Sequence, residues 1–390
     1  MTFTQHEARR IRVVQVTLVA DPQGRDAETL LRIWPTGPAV AAGVAGGGVE
    51  PTIVYAATRR QTLQRDGVTF HFIDDTRAAP LRLAGGIRIP RRPQRLFEFV
   101  ASLGPDVVHV HGFQYPVAIW QLVRSLPGIP VLIQDHASPV PEGWRRLLWR
   151  AACRRVAGVA FTAREQAAPF FAVGVFRPGL PVFEVLEGSS PFTPGDRDVA
   201  RREAGIHGDP CFLWTAHIDA NKDPLTVLTA FRQAAPRLPD ARLWCCFGTA
   251  PLLDAVHRFL EQDPILRQRV TLLGPRPHDA MESLFRAADF LVQASHHEGS
   301  GFSVIEALSC GTTPLVTDIP SFRRILDDGR AGSLTPVGDA VAMAEAMVAW
   351  SQRDRPALRR AARAHFEQAL TYNVIGRQLR TAYRALVGNP

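Results

Sequence analysis

The chain has 390 residues, 46% hydrophobic and 21% charged, which suits a globular protein of two ordinary domains and excludes a disordered or fibrous one. Its formal net charge of +8 is carried by 44 Arg and one Lys, a bias that, with abundant Ala, Gly and Pro, fits a GC-rich coding background better than selection for nucleic-acid phosphates. Nucleic acid is therefore not expected as a partner, and Lys222 stands out as a compact ammonium that the planar fork of Arg does not imitate.

Residues 1–10 (MTFTQHEARR) lack the apolar core of a signal peptide, and no apolar run approaches the roughly 18 residues that span a bilayer. A cytoplasmic protein is expected, soluble or peripheral to the inner face of a membrane. Residues 11–19 (IRVVQVTLV) are rich in β-branched side chains and suit a buried parallel strand, with 21–25 (DPQGR) as the loop at its carboxyl end. A small-residue helix is expected over 30–45, then a glycine turn at 46–48 and strands over 52–57 and 68–73. That glycine run is not a nucleotide fingerprint, because it precedes a strand instead of following one. Residues 87–100 place Arg88, Arg91, Arg92 and Arg95 ahead of Leu96, Phe97 and Phe99. A solvated helix face is favoured there over a surface for an anionic membrane or a phosphorylated acceptor.

The strands at 106–111 (DVVHVH) and 131–136 (VLIQDH) each end in a histidine. His109 and His111 share a face, and His109 reads as a core histidine. Ligands of open α/β sheets bind outside the carboxyl ends of the strands, so His111 and His136 point to a cleft. Over 144–156 (WRRLLWRAACRRV), Trp144, Leu147, Leu148 and Ala151 form one helical stripe, with Arg145, Arg146, Arg150 and Arg154 largely off it. The stripe is expected to pack on the sheet, with interfacial binding as the alternative. Residues 161–166 begin a helix after a short strand. Turn residues then crowd 178–194, and the interdomain linker is placed at 188–198.

The second half opens with a strand at 211–215 followed by His217-Ile-Asp-Ala-Asn-Lys222-Asp-Pro-Leu225, and further strands are expected at 243–247 and 270–273. The stretch from Ser295 to Arg323 carries most of the chemistry. Strands at 290–293 and 314–317 flank one helix, and Gly299 and Gly301 bracket Ser300 in the turn that enters it. Glycines let a ligand approach the backbone, and unpaired amides at a helix start make an anion site suited to a diphosphate. Glu298 and Glu306 lie eight positions apart beside that site. Since like charges repel, their use is to accept hydrogen bonds from hydroxyls, which a nucleotide sugar offers on its ribose and its hexose. Gly311 ends the helix, and residues 372–387 form an amphipathic one. The five Cys, at 153, 211, 245, 246 and 310, are odd in number and lack zinc spacing, so reduced packing thiols are expected.

The series Glu298, Glu306, Ala307 and Gly311 resembles the C-terminal signature of retaining family 4 glycosyltransferases of the GT-B fold, and Asn221-Lys222-Asp223-Pro224 resembles their phosphate segment. The resemblance implies that Glu306 binds the ribose hydroxyls and Glu298 the donor sugar. It assigns the amides of Gly299, Ser300, Gly301, Phe302 and Ser303 to the sugar and the distal phosphate, and Lys222 to the diphosphate as an ion pair. His217 stands where the family usually has Arg, a departure that weakens phosphate binding, makes it pH-dependent or marks a different donor. By the same resemblance His136 contacts the donor sugar and phosphate, His111 lies nearer the acceptor, and Arg276, in GPRPH at 274–278, lies near the base. The loop from Glu187 to Ser190 faces the cleft. The Gly-Gly motif usual in the loop after the first strand is missing.

The expected fold class is α/β, GT-B, two Rossmann-like doubly wound domains facing a cleft. Residues 1–190 form the acceptor-side domain, 199–370 the nucleotide-sugar-binding domain, and 371–390 a helix crossing back to the first. The expected reaction is retaining transfer of a sugar from a nucleoside diphosphate sugar to a hydroxyl on a glycan, lipid-linked or small-molecule acceptor. No cofactor and no metal are expected. Asp74-Asp75 and Asp327-Asp328 are adjacent pairs in loops rather than an Asp-x-Asp site, and Lys222 with the helix amides replaces the cation. Peripheral membrane contact is left open. The competing readings are a sugar-nucleotide epimerase sharing the donor site, an inverting transferase with His111 or His136 as base, and a non-catalytic sugar-nucleotide-binding protein.

Overall fold

Runs of Val, Ile and Leu bounded by turn residues form parallel strands in both halves of the chain, as suits strands covered on both faces. The computed structural model describes residues 9–18, 20–21, 23–75, 81–82, 88–89 and 92–388. Readings that fall on residues 1–8, Val19, Pro22, Ile87, Arg91 and the Arg88 side chain lie outside the described residues. The chain divides into two compact units, one of residues 1–188 with 372–390 and one of residues 189–371.

The first unit holds β1 (Ile11–Thr17), β2 (Val49–Ala57), β3 (Gln61–Arg65), β4 (Val68–Asp74), the short antiparallel pair β5 (Leu81–Arg82) and β6 (Arg88–Ile89), then β7 (Val107–His111), β8 (Val131–Gln134), β9 (Gly158–Phe161) and β10 (Val182–Glu184). Eight of these strands form one sheet in the order β10-β9-β8-β7-β1-β2-β4-β3, parallel except at the β3 edge. Its helices are α1 (Ala27–Ile33), α2 (Thr36–Val44), α3 (Gln94–Ser102), α4 (Pro116–Ser125), α5 (Arg145–Cys153) and α6 (Ala168–Ala172). The single helix expected over 30–45 is thus two, broken at Trp34-Pro35, because Pro cannot continue a helix and disfavours helical backbone in the residue before it. On α3, Leu96, Phe97 and Val100 are buried while Arg95 stays in solvent, and Arg92, ahead of the helix, is exposed as well.

The expectation for 144–156 fails. Trp144 is 70% and Leu147 61% exposed, and Leu148 and Ala151 are exposed beside them. The same segment carries a second apolar series, and that one faces inward: Ala152, Cys153 and Val156 are buried, and Trp149 packs its ring on Phe113 at 4.4 Å.

The second unit holds α7 (Arg197–Ala204), β11 (Cys211–Ala216), α8 (Pro224–Ala234), β12 (Arg242–Phe247), α9 (Leu253–Glu261), α10 (Pro264–Arg269), β13 (Val270–Gly274) and α11 (His278–Ala287). It continues with β14 (Phe290–Gln293), α12 (Phe302–Ser309), β15 (Thr313–Thr317), α13 (Pro320–Ile325), β16 (Ser333–Thr335), α14 (Ala340–Ser351) and α15 (Arg355–Ala369). Its six parallel strands run in the order β13-β12-β11-β14-β15-β16, the third, second, first, fourth, fifth and sixth in sequence. Strand order therefore reverses between β11 and β14, the place where a doubly wound sheet opens a crevice for ligands.

The last helix, α16 (Tyr372–Val387), belongs to the first unit and packs on α2. A Cβ on Gly376 would stand 1.8 Å from the Gly43 carbonyl oxygen, so the two backbones touch where neither residue has a side chain. Arg380 Nη1 donates to the carbonyls of Gly43 at 2.8 Å and Val44 at 3.1 Å, satisfying acceptors at the end of α2.

Candidate donor site and histidine cluster

At the reversal point of the second unit lies a pocket of about 370 Å³ at the carboxyl ends of β11 to β14 and the start of α12. Seven residues singled out from the sequence line it: His217, Lys222, Arg276, Glu298, Gly301, Phe302 and Ser303. Gly299 and Ser300 lie in the turn between Glu298 and α12 without lining the pocket, and Glu306 lies one turn into the helix.

Two segments 76 residues apart are stitched together to make this site. The Asn221 side chain donates to the His297 carbonyl at 3.0 Å and accepts from its amide at 3.1 Å, while the His296 amide donates to the Asn221 carbonyl at 2.8 Å. Asp223, in a left-handed turn with φ +44°, caps α8 and also pairs with His296 at 3.0 Å. This lattice sets Lys222 Nζ 2.5 Å from Glu298 Oε1, both side chains largely buried. Gly301, at φ +63°, caps α12, and a Cβ there would come 2.4 Å from the Phe322 ring. The glycine thus serves a left-handed turn and close packing at once.

His217 Nδ1 accepts from the Thr249 amide at 3.1 Å, so the proton of a neutral ring lies on Nε2, a donor suited to a phosphate oxygen. Glu306 Oε1 is held by His278 Nε2 at 2.8 Å, and His278 stacks on Phe192. The Glu306 hydrogen bond raises the His278 pKa above its ordinary value, against an opposing desolvation.

Two further residues escaped the sequence reading. Gln293, 2% exposed at the end of β14, donates to the Thr215 carbonyl at 2.8 Å and the Ser303 hydroxyl at 2.5 Å, which leaves the Ser303 proton for another acceptor. Its Oε1 has no hydrogen-bond partner and neither has Thr215 Oγ1, although both side chains are buried in the pocket wall. A buried acceptor in that state costs about 1–3 kcal/mol, a cost that a hydroxyl-bearing ligand removes. The available signal was positional: a polar residue closing a buried strand, as with His111.

In the first unit the carboxyl ends of β7 and β8 gather three imidazoles. The His109 and His111 rings are 4.3 Å apart and those of His111 and His136 5.7 Å apart. Gln15 donates to the Tyr383 hydroxyl at 3.3 Å, which leaves the tyrosine proton for His109 Nδ1 at 2.7 Å. Burial pushes the His109 pKa down to about 3 and holds His111 well below the usual imidazole value, so both are neutral at pH 7. His111 Nε2 meets Gln15 Oε1 at 3.2 Å, and His136 Nδ1 lies 3.1 Å from Glu187 Oε2.

A sequence model described as Glycosyl transferases group 1 matches residues 209–353, and one described as Glycosyl transferase 4-like domain matches residues 7–183. The GDP-mannose:cellobiosyl-diphosphopolyprenol alpha-mannosyltransferase of Xanthomonas oryzae pv. oryzae is 24% identical over 87% of this chain and 94% of that protein. The D-inositol 3-phosphate glycosyltransferase of Nocardia farcinica is 29% identical over 64% of this chain and 60% of its own length. Among solved structures, Anabaena Alr3699/HepE in complex with UDP and glucose superposes with a TM-score of 0.64 at 16% identity, covering 96% of this chain and 99% of that one. The chain belongs to the group 1 glycosyl transferases, with a 4-like domain ahead of the group 1 domain, and is a glycosyltransferase of the GT-B fold.

Proposed function

We propose that this glycosyltransferase moves a hexose from a nucleoside diphosphate sugar to an acceptor hydroxyl with retention at the anomeric carbon and without a metal ion. The observation that carries the reading is Lys222, held beside Glu298 at the mouth of a helix whose first amides face the same pocket. An ammonium and a helix start together offset the charge that develops on a departing diphosphate, the task a divalent cation performs elsewhere.

In this reading the amides from Gly301 to Ser303 and the Nε2–H of His217 receive the phosphates. Glu306 accepts from the ribose, Glu298 accepts from the donor sugar, and Arg276 lies against the base. Glu298 is the one carboxylate among the lining residues, and Lys222 already engages it. A front-face mechanism asks for no other base here, since the leaving phosphate oxygen takes the acceptor proton. His136, oriented by Glu187, contacts the donor sugar, and His111 serves the acceptor side. GDP-mannose is the first donor to test and a diphosphopolyprenol-linked glycan the first acceptor, in keeping with the Xanthomonas relative. Such an acceptor would bring the enzyme to a membrane surface as a peripheral protein.

A second reading is favoured by the His136–Glu187 pair, because a carboxylate-oriented imidazole is what a general base of an inverting transferase requires. The anomeric configuration of the product, read by NMR coupling constants, separates the two. Lys222→Ala is expected to lower kcat by about 10²–10³-fold. Chelator is expected to leave turnover unchanged. Wild-type turnover in Lys222→Ala, or activity lost to chelator and restored by a divalent ion, would overturn the metal-independent reading.

A further inference from the structure

The apolar stripe of α5 does not pack on the sheet. Trp144, at the N-cap of α5, and Leu147, Leu148 and Ala151 on the helix are exposed, whereas Ala152, Cys153 and, past the helix end, Val156 are buried, and Trp120 on neighbouring α4 is exposed as well. Large apolar side chains in solvent at consecutive turns of one helix form a patch, not the scattered exposure that every protein shows.

The charge carried by these two helices has one sign. Arg124, Arg145, Arg146, Arg150, Arg154 and Arg155 are all exposed on the same two helices and the turn that follows α5, while Glu142 is the only exposed acid between residues 112 and 163. Beside the apolar stripe, α4 and α5 enclose a groove of about 290 Å³ lined by Trp120, Val123, Arg124, Ala151, Arg154 and Arg155, with Arg124 stacked on the Trp120 ring at 4.9 Å. An indole and three guanidinium groups with no acid among them suit the phosphate of a phospholipid headgroup, with Trp and Leu reaching the acyl boundary.

The geometry points to the outer face of α4 and α5 as a docking surface for an anionic phospholipid membrane, with α5 lying in the interface plane. Charge complementarity selects this occupant. A second copy of the chain would bring six arginines against six arginines, whereas acidic headgroups neutralise them and accept the apolar side chains. The inference goes beyond the transfer reading and stands or falls without it, since docking needs neither donor nor acceptor.

The test is co-sedimentation of the full chain with vesicles of phosphatidylethanolamine and phosphatidylglycerol, against vesicles of phosphatidylcholine alone. Binding to the anionic vesicles is expected at about 0.1 M salt, to be about tenfold weaker or absent on phosphatidylcholine, and to fall at about 0.5 M salt. The double variant Trp144→Glu, Leu147→Glu is expected to lose at least about tenfold in partition. It keeps its melting temperature and its stabilisation by sugar nucleotide, because neither residue packs inward or touches the donor pocket. Arg145→Ser with Arg150→Ser serves as the charge arm and weakens binding to anionic vesicles only. Inorganic phosphate at about 10 mM is expected not to release the protein, since a surface of many headgroups outcompetes a single ion. Failure of the wild type to bind anionic vesicles, equal binding by the double variant, or release by phosphate would each overturn the proposal. So would a dimer at sedimentation equilibrium that Leu147→Glu dissolves. Persistent sugar-nucleotide stabilisation alongside any of these would show that the surface reading failed and the donor site did not.

Discussion

Each carboxylate singled out at the two candidate sites already holds a basic partner: Glu298 has Lys222, Glu306 has His278, and Glu187 has His136. Such pairing keeps a partly buried carboxylate from standing uncompensated. His278 makes its pair with Glu306 pH-dependent. Its pKa is raised in the folded protein, so its contribution to stability is fully present below the unfolded imidazole value near 6.5 and is lost as pH rises through the raised value. The His278 side chain is 64% exposed, so solvent screening keeps the effect small. His278→Gln is expected to melt about a degree below wild type under pH 6 and to converge with it in alkaline buffer, as measured by scanning calorimetry. A gap that widened with rising pH would mean the pair is not an ionic one. His278 and Gln293 were not identified from the sequence, because a His or Gln acquires meaning only from what the fold sets beside it. The spacing of Lys222, Glu298 and Glu306 predicts a shared site, and the structure brings Lys222 and Glu298 together at one pocket.

The contact between α2 and α16 depends on two glycines, and adding one methyl there forces the helices apart. Gly376→Ala should destabilise the protein by about 1–3 kcal/mol in chemical denaturation, as overpacking of a close backbone approach does. Thr381→Ala, on the exposed side of the same helix, should stay within about 0.5 kcal/mol of wild type. If the two variants matched, backbone proximity would not be what holds α16. Strands β1, β2, β4, β7 to β9 and β11 to β15, with α12, were legible because buried runs of Val, Ile and Leu between turn residues leave few alternatives. β10 and β16, three residues each and only partly buried, were not. The β3–β4 hairpin turns at Asp66-Gly67, both at positive φ, a turn signal that was present but passed over because Gln61–Arg65 is nearly all polar. The small residues over 30–45 predict one helix, but Pro35 divides it. On α5 two apolar series compete for the inside, and periodicity does not say which one wins.

The two-unit organisation gives the molecule separate cores and leaves all five cysteines inside them. Burial pushes the thiols of Cys153, Cys211, Cys245 and Cys310 up to about 12, and that of Cys246 upward as well. Thiolate is the reactive form, so the native protein should be silent toward Ellman's reagent at pH 8 and release colour for all five thiols in denaturant. A fast-reacting native thiol would reveal an opening of one core. Among the described residues no helix is long and apolar enough to cross a membrane. The placement of α16 bears on how the protein is made. Residues 189–371 are one unbroken stretch, whereas the sheet begun at Ile11 still lacks Tyr383 and Gly376 when Thr371 has been added. During translation the later-made unit has every residue it needs while the earlier-made one waits for its closing helix. The half begun first is therefore completed last.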